Sequence, residues 1–349
     1  MAKKVVMQGN EALAESALRA GCSFFAGYPI TPQTEITEYL AGKMNDMPGR
    51  VFIQGESELA SINMVFGASA TGARSMTATS GQGISLMQEG MSLLSETGVP
   101  AVVVDVQRGG PGNNDTNPSQ ADYNILTKSV GHGGAHAFVL APSTVQETAD
   151  MVYEAFDIAD EQRCVVAIMI DGMLGHLMEA IELMPYRDLS ELPPRPYTEK
   201  GNPAGNRLQA GWDNLEQVGK DLESKYEMWE KEMAKAEHFM TEDAEVIVAA
   251  WGTVARTTKT AIRKLRAEGK KVGLIRPKTL YPFPQESFAN LDEKQVKHIL
   301  SLENSYPVQF YNDVKASLAG KKIALSKKNR GMGYELSLEE IEEELRRLL

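Results

Sequence analysis

Glu58, Arg108, Thr31 and the turn Gly81-Gln82-Gly83 are the residues whose types and spacing point to chemistry. Glu58 opens a stretch, Leu59 to Ala70, that holds no charged side chain. A helix apolar on nearly every side has no wet face, so this one is expected to be buried, with Gly72 just past its end. Acids at a helix start ordinarily complement the helix dipole, and that accounts for Glu56 in full. For Glu58 the burial expected beyond it matters more. A carboxyl carried into apolar surroundings must be paired or hold its proton, and such carboxyls cluster at functional sites.

Arg108 follows the run Val99-Pro-Ala-Val-Val-Val-Asp-Val-Gln107. Continuous β-branched runs fit a strand buried on both faces of a parallel sheet. The guanidinium then stands at the carboxyl end of a central strand, where open α/β sheets bind ligands, and its planar fork suits a carboxylate. A surface arginine leading into the loop Gly109 to Pro118 is the plainer alternative. Thr31 lies in Tyr28-Pro-Ile-Thr-Pro-Gln-Thr-Glu35, where two prolines force an extended turn. Thr31 is expected to cap the next helix, with Pro32 at its first position and the free N–H groups facing a site. Arg74 to Thr79 reads as a strand, Ser80 to Gly83 as a glycine turn and Ile84 onward as a helix. Such a junction turns backbone N–H groups toward a ligand. The third glycine of a dinucleotide fingerprint is missing, which disfavours a nucleotide-binding dehydrogenase.

Around these residues the chain reads as repeated β-α units. A length of 349 residues favours two domains. Residues 1–184 form one α/β unit, 185–242 a linker with a charged amphipathic helix, and 243–349 a second α/β unit. Leu192-Pro-Pro-Arg-Pro and Gly201-Asn-Pro-Ala-Gly mark the linker, and Ser337-Leu-Glu-Glu340 is a capping box for a last helix. The apolar share of 42% supports full cores. No run of about 18 apolar residues occurs, so no membrane span is expected. The first residues lack a signal-peptide core, which points to the cytoplasm. A net charge of −11 with no basic block argues against nucleic acid. Two cysteines, Cys22 and Cys164, are too few for an iron–sulfur cluster and read as buried small residues. The five histidines form no ligand set, because glycines separate His132 from His136. No metal site is expected on this chain.

Gly27-Tyr-Pro-Ile-Thr-Pro32, Glu56-Ser-Glu-Leu-Ala-Ser61, Thr77-Ala-Thr-Ser-Gly-Gln-Gly-Ile-Ser-Leu-Met87 and Asp105-Val-Gln-Arg-Gly-Gly-Pro-Gly112 together resemble the alpha subunit of 2-oxoacid:ferredoxin oxidoreductases. The resemblance runs from about residue 8 to about residue 320. Asn63-Met-Val-Phe-Gly67, Pro118-Ser-Gln-Ala-Asp-Tyr123 and Asp171-Gly-Met-Leu-Gly175 look most like the 2-oxoisovalerate, branched-chain branch, with the 2-oxoglutarate branch as the alternative.

The resemblance implies a thiamine diphosphate enzyme that oxidatively decarboxylates a 2-oxoacid to an acyl-CoA and passes electrons to ferredoxin. It implies a pyrimidine-binding domain followed by a transketolase C-terminal-like domain. Glu58 matches the pyrimidine-binding glutamate, Thr31 a threonine near the substrate and Arg108 an arginine facing its carboxylate. Glu58, Thr31, Gly81, Gln82 and Gly83 would meet the cofactor. A carboxyl kept dry suits this role, since its proton affinity is tuned by its surroundings. The diphosphate half of such a site usually shows Gly-Asp-Gly, and Ile170-Asp-Gly172 lacks the first glycine. A beta chain is therefore expected to complete the site. Mg2+ and iron–sulfur clusters are expected on partner chains, including a small iron–sulfur subunit, and the isolated chain is expected to be inactive. A non-catalytic scaffold of the same fold is the rival reading.

Overall fold

Strand β5 (Ala101–Gln107) is buried at every residue, as its β-branched run requires. The computed structural model describes residues 4–113, 115–193, 195, 215–331 and 333–349. The first unit runs β1 (Val5–Gln8), α1 (Gly9–Arg19), β2 (Phe24–Gly27), α2 (Thr34–Met44), β3 (Val51–Gln54), α3 (Glu58–Ala70), β4 (Ser75–Thr79), α4 (Gln82–Thr97), then β5. It continues through α5 (Tyr123–Thr127), β6 (Phe138–Leu140), α6 (Val145–Gln162), β7 (Val165–Asp171), α7 (Gly172–His176) and β8 (Met178–Ile181). After α8 (Leu215–Glu232) come β9 (Ala236–Phe239), β10 (Val246–Ala249), α9 (Gly252–Ala267), β11 (Val272–Pro277), β12 (Thr279–Tyr281), α10 (Glu286–Ala289), β13 (His298–Glu303), α11 (Phe310–Ser317), β14 (Ala324–Asn329) and α12 (Leu338–Leu348).

The larger sheet has the order β12-β6-β7-β5-β4-β2-β3, parallel except for β12. The smaller has the order β14-β13-β10-β11-β9, parallel except for β9. Two strands cross the sequence divisions. β9, within 185–242, pairs with β11, and β12, within 243–349, pairs with β6. The proline- and glycine-rich runs read as a linker lie largely outside the described residues.

Alternation along the strands separates two cores. Val102, Val104 and Val106 face α1, α2 and α6, while Ala101 and Val103 face α3 and α4. The second cluster continues into the smaller sheet through Ile247, Trp251 and Ile275, so one apolar core joins the two units. A third cluster lies under α9 and α12. The capping box at Ser337 and Glu340 is present. α8 packs as an outer helix, with Trp229 buried and its indole N–H donating to Gln162 Oε1 at 3.0 Å. Cys22 and Cys164 are buried and free, and burial pushes both thiols up to about 12. No helix among the described residues is long and apolar enough to cross a membrane.

The expectation that α3 has no wet side is corrected. Glu58, Ser61, Ile62, Val65 and Ser69 are buried, but Leu59 is 44% exposed and Asn63 and Gly67 are exposed. The helix lies on one sheet face against α4, where Gly90 admits Ile62, so a single stripe suffices to bury it.

Candidate functional site

From β2 the chain moves outward to β3, then crosses back to β4 on the other side of β2. Helices α2 and α4 therefore leave toward opposite faces, and the loops after β2 and β4 diverge. Such a switch point opens a crevice at the carboxyl ends of the strands. Thr31 lies in the first loop and Gly81-Gln82-Gly83 in the second, and Arg108 ends the neighbouring strand.

The structure brings these residues together. Arg108, 5% exposed, donates from Nη1 to the Thr31 carbonyl at 2.9 Å and from Nη2 to Gln82 Oε1 at 2.7 Å. Its Nε is buried without a partner. Gly81 has φ of 55°, and a Cβ there would stand 3.1 Å from that Nε. Glycine serves both needs, the left-handed backbone and the close approach. Arg108 is thus a buried cation clamped across the crevice rather than a surface side chain.

Two local expectations are corrected. Thr31 does not cap α2. Gln33 precedes that helix without a side-chain cap, and Thr31 offers its carbonyl while its side chain is exposed. The reason is a turn between strand and helix, with the Gln33 N–H bonded to the Ile30 carbonyl at 2.9 Å and the Gln33 side chain to the Tyr28 carbonyl at 2.8 Å. Helix α4 begins at Gln82, not Ile84, so Gln82 and Gly83 stand in its first turn and Gln82 is aimed at Arg108.

Glu58 is 4% exposed at the start of α3, where Ser57 caps the helix by accepting the Ala60 N–H at 3.1 Å. Among the described residues nothing hydrogen-bonds its carboxyl. A Cβ on Gly83 would lie 2.6 Å from Glu58 Oε1 and 2.0 Å from Thr79 Oγ1. Gly83 therefore makes room for the acid. The hydroxyls of Thr79 and Ser80 beside this glycine are buried without partners. A dry carboxyl and orphaned hydroxyls are costly unless something polar meets them. This donor set fits the polar ring of an aminopyrimidine. No group of three His, Cys, Asp or Glu among the described residues could hold a metal ion. Asp171, in the incomplete Gly-Asp-Gly match, spends Oδ1 on the Leu174 N–H at 2.9 Å and Oδ2 on the Thr253 hydroxyl.

Asp105 and Asp122 escaped the sequence reading. Asp105 is fully buried and neither oxygen has a partner. Burial drives its pKa well above the ordinary carboxylate range, and the nearby Asp122 adds to this. Asp122 is raised to about 7 by burial, against the Gly81 amide and the Arg108 guanidinium, which pull it down. The available signal was an acid inside a run of valines.

Asp122 is positioned by the second unit. Gln120 bridges outward, its side chain donating to the Trp251 carbonyl at 3.1 Å and accepting the Asn304 N–H at 2.9 Å. Gln309 donates to the Ala121 carbonyl and accepts the Asn124 N–H at 2.8 Å. Tyr123 meets Trp251 at a tilt and Phe310 edge-on, at 6.0 and 5.8 Å between ring centroids, and its hydroxyl donates to Asp313 at 2.5 Å. The ends of β10 and β13 thus hold the loop that carries Asp122. A cleft of about 390 Å³ opens here, lined among others by Gly81, Gln82, Gly110, Asp122, Ile125 and Pro307.

Residues 15–249 match the family model of pyruvate flavodoxin/ferredoxin oxidoreductases, thiamine diphosphate-binding, and residues 244–341 that of pyruvate:ferredoxin oxidoreductase core domain II. The chain is 40% identical over 348 residues to the ketoisovalerate oxidoreductase subunit VorB of Methanothermobacter marburgensis, covering 98% of this chain and 97% of that one. It is 38% identical over 327 residues to the 2-oxoglutarate synthase subunit KorA of Methanocaldococcus jannaschii, covering 83% and 86%. Among solved structures it is similar to the 2-oxoglutarate:ferredoxin oxidoreductase of Magnetococcus marinus, described with 2-oxoglutarate, coenzyme A and succinyl-CoA bound. There the TM-score is 0.85 and the identity 25%, over 99% of this chain but only 65% of the other. A split-gene transketolase, at 13% identity and a TM-score of 0.60, shares the fold alone.

Proposed function

The chain belongs to the pyruvate flavodoxin/ferredoxin oxidoreductase family, and from that membership we propose that it is the alpha subunit of a 2-oxoacid:ferredoxin oxidoreductase. The reaction is oxidative decarboxylation of a branched-chain 2-oxoacid, 3-methyl-2-oxobutanoate, to its acyl-CoA, with electrons passing to ferredoxin. The convergence of Glu58, Gly83, Gly81, Gln82, Thr31 and Arg108 on one switch-point crevice carries the reading.

Thiamine diphosphate supplies the carbanion chemistry when bound, and the protein supplies position and electrostatics. Glu58, 4% exposed and without a hydrogen-bond partner among the described residues, would face a ring nitrogen of the pyrimidine. Thr79 and Ser80 offer hydroxyls beside it. Arg108, clamped by the Thr31 carbonyl and Gln82, orients the carboxylate of the oxoacid. Gly83 keeps the first turn of α4 close enough for Glu58 to reach the crevice. Diphosphate, Mg2+ and iron–sulfur clusters fall to a beta chain and a small iron–sulfur subunit. The uncharged, partly exposed face of α3 at Leu59, Asn63 and Gly67, together with Leu86 on α4, supports a partner covering the crevice. The division 1–184, 185–242 and 243–349, the cytoplasmic location and the roles of ferredoxin and coenzyme A belong to the same proposal.

The branched-chain assignment is supported by the broad match to the ketoisovalerate subunit. A 2-oxoglutarate substrate, the alternative, would need a cation for its second carboxylate. The test is co-purification of the native complex, assayed with a panel of 2-oxoacids. The complex carrying Glu58→Gln should assemble and lose turnover about 10²- to 10⁴-fold, the usual span of a positioned proton-transfer group. Unchanged turnover would favour the scaffold, and oxoacid-dependent dye reduction by the isolated chain would contradict the half-site.

A further inference from the structure

We propose that Gly110 is a specificity-determining residue, and that its missing side chain leaves the room in the cleft between the two units that a branched oxoacid side chain fills. The inference rests on the reading of Arg108 as the partner of the oxoacid's carboxylate.

The cleft of about 390 Å³ adjoins that arginine. Among its lining residues, Gln82 accepts a hydrogen bond from Arg108 Nη2 at 2.7 Å, and a Cβ on Gly81 would stand 3.1 Å from Arg108 Nε. Gly109, also in the lining, follows Arg108 in the chain. A carboxylate held at the guanidinium leaves the rest of a small oxoacid beside this space. Pro111, Ala121, Ile125 and Pro307 give the cleft apolar wall. Polar side chains around them are turned elsewhere. Gln309 donates to the Ala121 carbonyl and accepts the Asn124 N–H at 2.8 Å, and the Tyr306 hydroxyl donates to the Asn329 carbonyl at 3.0 Å. Hydrocarbon stems and a ring remain for a ligand, as in pockets that take apolar groups. Two acids complete the surroundings. Asp122 lines the cleft, and Asp115 packs over Gly109 with Oδ1 accepting the Asn117 N–H at 3.0 Å. A dicarboxylic oxoacid would bring its second carboxylate beside an acid, whereas a branched hydrocarbon brings no charge.

Four glycines line the cleft, and the fold itself explains three of them. Gly81 and Gly112 have φ of 55° and 84°, where a Cβ is strained. At Gly109 a Cβ would fall 1.9 Å from Asp115 Oδ2. Gly110 has neither need. Its φ lies outside the left-handed range, and a Cβ there would meet nothing nearer than the Gly112 amide nitrogen at 4.0 Å. The fold accepts a side chain at 110, and one would favour folding by restricting the unfolded chain. What glycine provides at this position is open volume on the cleft wall. A valine there would occupy the space that the isopropyl group of 3-methyl-2-oxobutanoate needs.

The test is the assembled complex carrying Gly110→Val, assayed with 2-oxobutanoate and 3-methyl-2-oxobutanoate alongside its melting temperature. The ratio of kcat/KM for the branched acid to that for the straight one should fall about 10- to 200-fold, the span that one methylene carries in an apolar pocket. The complex should melt close to wild type. Gly110→Ala should lower the same ratio by less, and adding Ile125→Ala to Gly110→Val should restore part of it by widening the cleft. An unchanged ratio overturns the proposal. An equal loss on both acids overturns it too, since the new methyls would then be disturbing Arg108 or the cofactor rather than the side-chain space. If Gly110→Val does not assemble, the ratio in Gly110→Ala decides by the same criteria. A wild-type complex that turns over no 2-oxoacid overturns the functional reading itself, and this proposal with it.

Discussion

Gly83→Ala tests whether Glu58 works through its position. Gly83 stands in the first turn of α4 with ordinary helical backbone, so alanine alone would favour the helix by about 1 kcal/mol. The new methyl, however, would lie 2.0 Å from Thr79 Oγ1 and 2.6 Å from Glu58 Oε1. These are about 1.4 and 0.8 Å inside the 3.4 Å at which ordinary contact begins. Thr79 can turn its unpartnered hydroxyl away for about 0.5–1.5 kcal/mol. Glu58 has to shift by most of an ångström. Overpacking of this kind costs about 1–3 kcal/mol, so set against the helix gain the net loss is about 0.5–3.5 kcal/mol. A displacement of about 1 Å at a reacting group costs about a hundredfold in rate. The assay is oxoacid-dependent reduction of a dye by the assembled complex, alongside its melting temperature. Gly83→Ala should assemble, melt within a few degrees of wild type and lose turnover about a hundredfold. Adding Thr79→Ala removes the nearer clash and should recover stability without recovering rate, because the Glu58 clash remains. Wild-type turnover in Gly83→Ala would refute the reasoning.

Arg108→Lys keeps the charge but cannot span the Thr31 carbonyl and Gln82 together. KM for the oxoacid should rise about tenfold or more while the complex still forms, read by steady-state kinetics. Gln120→Ala strands the Trp251 carbonyl and the Asn304 N–H in the buried contact between the units. Each loss costs about 1–3 kcal/mol, so thermal unfolding should begin earlier, and turnover should fall because the loop holding Asp122 loosens. Glu335 is raised from 4.5 to about 7 by burial and by Asp171. The folded state then binds the proton more tightly than the unfolded chain, so stability should fall as pH rises from about 4.5 to about 7 and level off above. Glu335→Gln should flatten that part of a melting-temperature profile, and an unchanged slope would remove Glu335 from the account.

Much of the architecture was legible from local signals. The valine run of β5 is buried on both faces, and a glycine turn joins β4 to α4, two residues shorter than Ser80 to Gly83 because α4 starts at Gln82. Glu58 opens an uncharged helix and is dry, and Arg108 stands at a strand's carboxyl end. These features depend on residue type and short-range spacing, which a sequence displays directly. Three others depend on contacts between distant segments. α3 has an exposed face because sheet and neighbour cover only one stripe. Thr31 stands outside α2, whose start is set by the turn at Ile30–Gln33, and its carbonyl meets Arg108 from 77 residues away. Asp122 stands at the strand ends only because the second unit, through Trp251, Asn304 and Gln309, folds its loop back over them. The chain by itself determined the elements and the chemical types at their tips. Tertiary structure decided which buried polar atoms are left without partners, since satisfaction of a donor or acceptor depends on every segment that packs around it.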